Sequence, residues 1–165
     1  MESSRHSNTI FVADTCIGGL SVVDSLWKSG NTDDAFFLAD YAVNPLGVKS
    51  DTAIAAVVQR WLEQAGRYSD TLLIACNTLS ICYHQLTSSA AQPTRVRRVV
   101  SRVDCFRALV DAEADRLARS KVLIIGTEFT ASQSLYPEIL KTAAPDADVD
   151  SIAATGLERS IARFE

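Results

Sequence analysis

Short apolar runs alternate along the chain with longer stretches whose apolar residues recur at helical spacing, the pattern of repeated βα units on a parallel sheet. Residues 9–13 (TIFVA), 35–39 (AFFLA) and 71–75 (TLLIA) predict three strands. A glycine-containing turn at 14–19 leads into a helix over 20–28, closed by Ser29-Gly30. Ser50 is a helix N-cap, Asp51 suits the positive end of the dipole, and Gly66 is a stop. Between them Ile54, Val57, Val58, Trp61, Leu62 and Ala65 share one helix face.

An apolar-rich helix is expected after Cys76, running through Leu86. Residues 88–94 then read as a polar linker, so the expected organisation is a first α/β domain over 1–94 and a partial second one over 95–165. The second part predicts strands at 97–100, 121–125 and 149–153, with helices over 104–118 and 130–143. Pro137 permits a break in the last helix. Residues 40–49, with Pro45 and Gly47, form a loop.

Composition narrows the function classes. Of 165 residues, 47% are apolar and 22% charged, which excludes a disordered chain. Sixteen Lys plus Arg against twenty Asp plus Glu give a net charge of -4, without the basic footprint of a nucleic-acid binder. The one basic cluster, Arg95, Arg97, Arg98 and Arg102, brackets Val96, Val99 and Val100 and reads as a solvated strand edge. No run approaches the ~20 apolar residues of a membrane span, and residues 1–8 lack a signal core. No membrane partner and a cytoplasmic location are therefore expected, where the four cysteines stay reduced. Their spacing matches no zinc site, and no metal is expected.

Three predicted strands end in polar turns: Asp14-Thr15-Cys16, the loop from Asp40 to Gly47, and Cys76-Asn77-Thr78. In open α/β sheets ligands bind outside the carboxyl ends of the strands. Cys76 stands where an apolar strand yields to a helix, where backbone N–H groups and the dipole favour a thiolate. It reads equally as a buried strand-end cysteine with a capping Asn or Thr beside it. Asp14 and Asp40 each read as a helix cap or as a base or ammonium partner. Cys82 and Cys105 fall inside helical patterns and are expected in the core; Cys16 stays ambiguous. His6 and His84 have no nucleophile beside them in sequence. Gly18-Gly19 lacks the full dinucleotide spacing, and no phosphate loop is present.

Taken together, these segments resemble the bacterial glutamate racemases of the aspartate/glutamate racemase superfamily. Residues 14–22 (DTCIGGLSV) are similar to that family's DSGxGGLSV opening, and residues 40–50 (DYAVNPLGVKS) to its DTAxxPYGxKS segment. Residues 75–78 (ACNT) match the motif that carries its first catalytic thiol. Gly126, Thr127, Thr130, Ser132 and Tyr136 resemble its GTxxTxxSxxY segment. The match covers the N-terminal two-thirds of the family pattern. It implies two flavodoxin-like parallel-sheet domains with the site in the cleft between them, the second domain incomplete in this chain.

The resemblance also implies chemistry without a cofactor. Two thiols face opposite sides of a substrate α-carbon; one removes the proton and the other returns one. Cys76 and Asp14 occupy catalytic positions in this pattern. Asp14, Thr15, Leu46, Gly47, Asn77, Thr78, Thr127 and Thr130 occupy amino-acid-binding positions. The implied partner is a small acidic amino acid, glutamate or aspartate, and the implied role is supply of D-glutamate for peptidoglycan. The chain departs from the pattern at Thr15 (serine in the family), Cys16 (glycine) and Leu46 (tyrosine). The family's second thiol, in a GCTHYP-like motif, has no counterpart in this sequence. The alternatives are therefore a single-thiol superfamily decarboxylase or isomerase, or a truncated racemase-like binding module without turnover; a homodimer is the expected assembly in which a second subunit could donate the other thiol.

Overall fold

The computed structural model describes residues 9–30, 34–44, 46, 49–87 and 95–156. Pro45, Gly47, His6 and the 88–94 linker lie outside the described residues. The chain forms two compact units, Met1–Arg102 and Val103–Glu165.

The first unit is a four-stranded parallel sheet in the order β2-β1-β3-β4. β1 spans Thr9–Asp14, β2 Asp34–Ala39, β3 Thr71–Ile74 and β4 Arg98–Ser101. Between them run α1 (Leu20–Lys28), α2 (Asp51–Ala65) and α3 (Asn77–Thr87). The expected domain boundary falls at 94/95. β4 instead extends the first sheet, its Arg98–Ser101 in register with Thr71–Ile74 of β3, so the first unit runs on to Arg102.

β1 is the hub of this sheet, and it is buried on both faces. Val12 packs with Val23 of α1 and Ala75, flanked by Ile10, Val22, Leu26 and Phe37. Phe11, pointing to the opposite face by strand alternation, stacks on Phe36 and Tyr68 with centroids 6.5 and 6.2 Å away. α1 ends where expected: Gly30 takes φ +67°, a left-handed conformation that glycine adopts without a Cβ penalty. α2 starts where the Ser50 hydroxyl accepts the Ala53 N–H, and it buries the six apolar residues of its periodic face.

The second unit holds α4 (Arg102–Ala112, whose first residue belongs to the first unit), α5 (Ala114–Leu117), β5 (Lys121–Gly126), α6 (Glu128–Ser132), α7 (Leu135–Ala143) and β6 (Asp148–Ala153). β5 and β6 pair in parallel. The single helix expected over 104–118 is two, interrupted at Glu113 (φ -110°, ψ 13°). The expected 130–143 helix also divides, but before Pro137: the chain turns extended at Gln133, and Pro137 sits in the first turn of α7, where its missing N–H costs nothing. Tyr136, Ile139 and Leu140 are buried, and Tyr136 meets Phe106 edge to face at 4.8 Å.

Candidate active site

In the first sheet the chain leaves β1 for β2 on one side and returns to β3 on the other. The carboxyl ends of β1 and β3 therefore flank the switch point at which open parallel sheets receive ligands. Asp14 ends β1, and Cys76 follows β3 by two residues.

Cys76 is the cap of α3. Its carbonyl accepts the Ser80 N–H at 3.0 Å and the Ser80 hydroxyl at 2.7 Å, and the Leu79 N–H reaches the thiol. The hydroxyl of Thr15, at the end of β1, lies 3.6 Å from the sulfur. Burial pushes the Cys76 thiol up from its ordinary value, and the nearby Asp14 and Cys16 push the same way. The Leu79 N–H and the Thr15 hydroxyl oppose them. The helix start thus acts in the expected direction, but desolvation outweighs it.

Asp14 is buried, and its carboxylate is the pivot of the first turn. It accepts the Thr15 N–H at 2.7 Å, and the backbone N–H groups of Cys16 and Gly19 also favour its charged form. Burial raises its carboxyl above the usual range, while those bonds and the Arg102 guanidinium hold it down. The turn passes so close to the sheet that a Cβ at Gly19 would lie 2.7 Å from Phe37 and 3.0 Å from Asp14. Only glycine fits there. Cys16 caps the 3₁₀ turn Ile17–Gly19, its sulfur accepting the Gly18 N–H at 3.4 Å.

The loop after β2 is tied to this turn. Asn44 donates its side-chain amide to the Thr15 carbonyl at 2.8 Å. Asp40, read as a cap or a base, stands at the N-cap of the 3₁₀ turn Tyr41–Val43 without a side-chain capping bond: its carboxylate accepts Trp61 Nε1 at 2.8 Å and pairs with Arg60, pinning the loop to α2. Leu46 is buried as core, and Gly47 lies outside the described residues. Asn77 is exposed at the first turn of α3, and Thr78 beside it is buried.

Thr127 and Thr130 belong to the second unit, at the carboxyl end of β5. Thr127 caps α6, its hydroxyl accepting the Thr130 N–H at 3.2 Å and donating to the Thr130 hydroxyl at 3.1 Å. Thr130 is buried over Gly126, where a Cβ would meet it at 2.8 Å.

Two expectations change. Cys105, expected in the core, is exposed: α4 buries Val103 and Val110, and Cys105 falls on the opposite side of the helix. Cys82 is buried as expected, with its thiol pushed up to about 11, chiefly by burial. The basic cluster also divides. The Arg97 and Arg98 N–H groups bond Asp70 at the amino end of the sheet, whereas Arg102 stands at the carboxyl end. Its Nε donates to the Ala75 carbonyl at 2.6 Å. Nothing in the sequence separated Arg102 from its neighbours except its place just past the last residue of a strand.

Among the described residues no group of His, Cys, Asp or Glu converges as metal ligands, and no helix is long and apolar enough to cross a membrane.

No family model matches the chain. It is similar to the glutamate racemase of Syntrophus aciditrophicus, 29% identical over 153 residues, which cover 92% of this chain and 54% of that protein. It is also similar to the glutamate racemase of a Nitratiruptor species, 30% identical over 133 residues, covering 79% of this chain and 50% of that one. The chain spans about half the length of the curated relatives it matches. Among solved structures, glutamate racemase from Campylobacter jejuni superposes with a TM-score of 0.76 at 26% identity, covering 94% of this chain and 60% of that one. The Aquifex pyrophilus glutamate racemase gives 0.65 at 25% identity, covering 88% and 54%. In sequence and in fold the chain resembles glutamate racemases.

Proposed function

We infer that the chain belongs with the glutamate racemases, and we propose that it serves cofactor-independent interconversion of L- and D-glutamate through Cys76. The carrying observation is the pairing of the Cys76 thiol, capped by the Leu79 N–H, with the Thr15 hydroxyl at 3.6 Å on the switch point of the sheet. In this reading Cys76, as thiolate, takes the α-proton of the bound amino acid, and the electron pair stays on the α-carbon. A group on the opposite face returns a proton, giving the mirror-image product. The Thr15 hydroxyl and the helix start supply donors that favour the thiolate. Asp14 holds the turn through the Thr15 N–H and presents negative charge toward the substrate ammonium. By the resemblance, Leu46, Gly47, Asn77 and Thr78 are the remaining amino-acid-binding positions of the first unit. D-glutamate made in this way feeds peptidoglycan synthesis in the cytoplasm.

The test is wash-in of solvent deuterium at the α-carbon, across a panel of L- and D-amino acids. Exchange is expected for glutamate first and aspartate second, and is expected to vanish in Cys76→Ala. Equal exchange in that variant would remove Cys76 from the reaction.

A further inference from the structure

We propose that Arg102 is a carboxylate-recognising residue at the carboxyl edge of the first sheet, gripping a carboxylate of the acidic ligand beside Cys76. This rests on the reading of the site as one for an acidic amino acid, and adds to it the cation that such a ligand requires.

Three observations carry the assignment. Arg102 directly follows β4, the neighbour of β3, so its backbone leaves the sheet on the same edge as Cys76. Its backbone N–H donates to Ser80 Oγ at 3.1 Å, and the same Ser80 hydroxyl donates to the Cys76 carbonyl. Its Nε donates to the carbonyl of Ala75, the residue before Cys76, at 2.6 Å. Main chain and side chain are thus both tied to the two ends of the short segment that presents the thiol. The charge is felt at Asp14, yet no ion pair forms with it among the described residues.

A guanidinium anchored through Nε keeps its outer amino groups, in a fixed plane, for a second partner. Among the described residues those amino groups make no hydrogen bond to the protein, and the residue is exposed. A carboxylate is the planar acceptor that matches such a fork, and fixing the guanidinium beforehand reduces the ordering cost of binding. Among the described residues, Thr15, Asn77 and Thr78 offer a dicarboxylic amino acid neutral donors, and Asp14 adds negative charge. Arg102 reverses that imbalance.

The experiment is calorimetric titration of the intact chain and of its Arg102→Met and Arg102→Lys variants with L-glutamate, L-glutamine and inorganic phosphate. Arg102→Met is expected to weaken glutamate binding by roughly 10- to 100-fold, the range for a charged hydrogen-bonded pair. Arg102→Lys, a point charge without the fork, is expected to fall between. Loss confined to glutamate assigns the side-chain carboxylate, and equal loss for glutamine assigns the α-carboxylate; both support the proposal. Glutamate binding within twofold of wild type in Arg102→Met overturns it, as does tighter binding of phosphate than of glutamate. A wild-type chain that binds no carboxylate removes the proposal and the acidic-ligand reading together. Glutamate binding that depends on Arg102 without α-proton exchange removes only the racemase chemistry. Should Arg102→Met fail to fold, phenylglyoxal modification of the wild type decides. Slower labelling of Arg102 under saturating glutamate supports the proposal, and an unchanged rate overturns it.

Discussion

The hydroxyl of Thr15 and the sulfur of Cys76, 61 residues apart in the chain, lie 3.6 Å from one another. β1 and β3 are adjacent and in register, Ala13 opposite Ile74, so the residues just past their ends must meet. The Ala75 N–H closes the gap by donating to the Ala13 carbonyl at 2.8 Å. An O–H aimed at sulfur stabilises the thiolate more than the thiol. Thr15→Val, which keeps the shape and loses the hydroxyl, is expected to move the pH dependence of Cys76 alkylation to higher pH. Thr15→Ser is expected to leave it near wild type. Mass-spectrometric rates across pH check this, and a shift to lower pH in Thr15→Val would contradict it.

The four thiols are predicted to label in a definite order. Cys105 is exposed, Cys16 half-buried, and Cys76 and Cys82 buried with raised thiols. Iodoacetamide at neutral pH should take Cys105 first, then Cys16, with Cys76 and Cys82 slow. Glutamate should protect Cys76 further and leave Cys105 unchanged. Peptide mapping with time reads the order; a Cys82 that labels before Cys105 would reject the packing described for α3 and α4.

Much of the first unit was legible because its local signals agree with its packing. Ser50, the periodic face of α2 and Gly66 bound one helix, and Gly30 closes another. What was not legible depended on partners distant in sequence. The 97–100 strand carries no mark of which sheet it joins; pairing with Thr71–Ile74 decides it. Glu113 interrupts its helix without any glycine or proline to announce it. Cys105 lay inside a helical pattern, but the pattern alone did not fix which side was buried. Asp40 had the position of a cap and was claimed by Trp61 and Arg60, twenty residues on. For the site, Asp14, Thr15 and Cys76 were legible as turn residues after strands. Arg102 was hidden among other arginines, since β4, Ser80 and the Ala75 carbonyl distinguish it only in the fold.

Asp14 should give the fold a pH signature. Its carboxyl is raised in the folded chain, so between the ordinary carboxylate value and the folded one the native state holds more protons than the unfolded state. Stability from this group is then fully present below the unfolded value and falls as pH rises through the folded one. Asp14→Asn removes the titration while keeping one acceptor oxygen for the turn. Urea unfolding should find the variant gaining on wild type from acid toward neutral pH. A gap between the two that is constant with pH would contradict the buried, raised carboxyl.

Gly19 and Gly18 should respond differently to the same change. A Cβ at Gly19 would sit 2.7 Å from the Phe37 ring and 3.2 Å from the Ala75 Cβ, so the turn must lift from the sheet. At Gly18 the nearest atoms are Cys16 Sγ at 3.4 Å and Asp14 Oδ2 at 3.5 Å, ordinary contacts. Gly19→Ala is expected to cost about 1–3 kcal/mol by overpacking, and Gly18→Ala to stay within about 0.5 kcal/mol of wild type. Denaturant titration of the two variants checks this.

Proton exchange and inversion are expected to separate in this chain. Inversion at the α-carbon needs an acid and a base on opposite faces, each within hydrogen-bond reach. The first unit brings Cys76 and Cys16 to the same edge of one sheet, where Cys16 already accepts the Gly18 N–H. Cys82 is enclosed on α3 and is not placed as the opposing thiol. One thiol alone removes the α-proton and, after exchange with solvent, returns a deuteron to the face it came from. The product is labelled L-glutamate from L-glutamate, with its optical signal preserved. Deuterium wash-in followed by mass spectrometry, run beside circular dichroism of the same sample, measures the two rates separately. Wash-in is expected to outpace loss of the dichroic signal by at least about 100-fold, the smallest effect typical of removing a positioned acid or base. The ratio should fall toward unity as protein concentration rises only if a second copy supplies the opposing thiol. Inversion as fast as exchange, first order in a species shown to be monomeric, would contradict this and direct attention to Cys16 as the second acid.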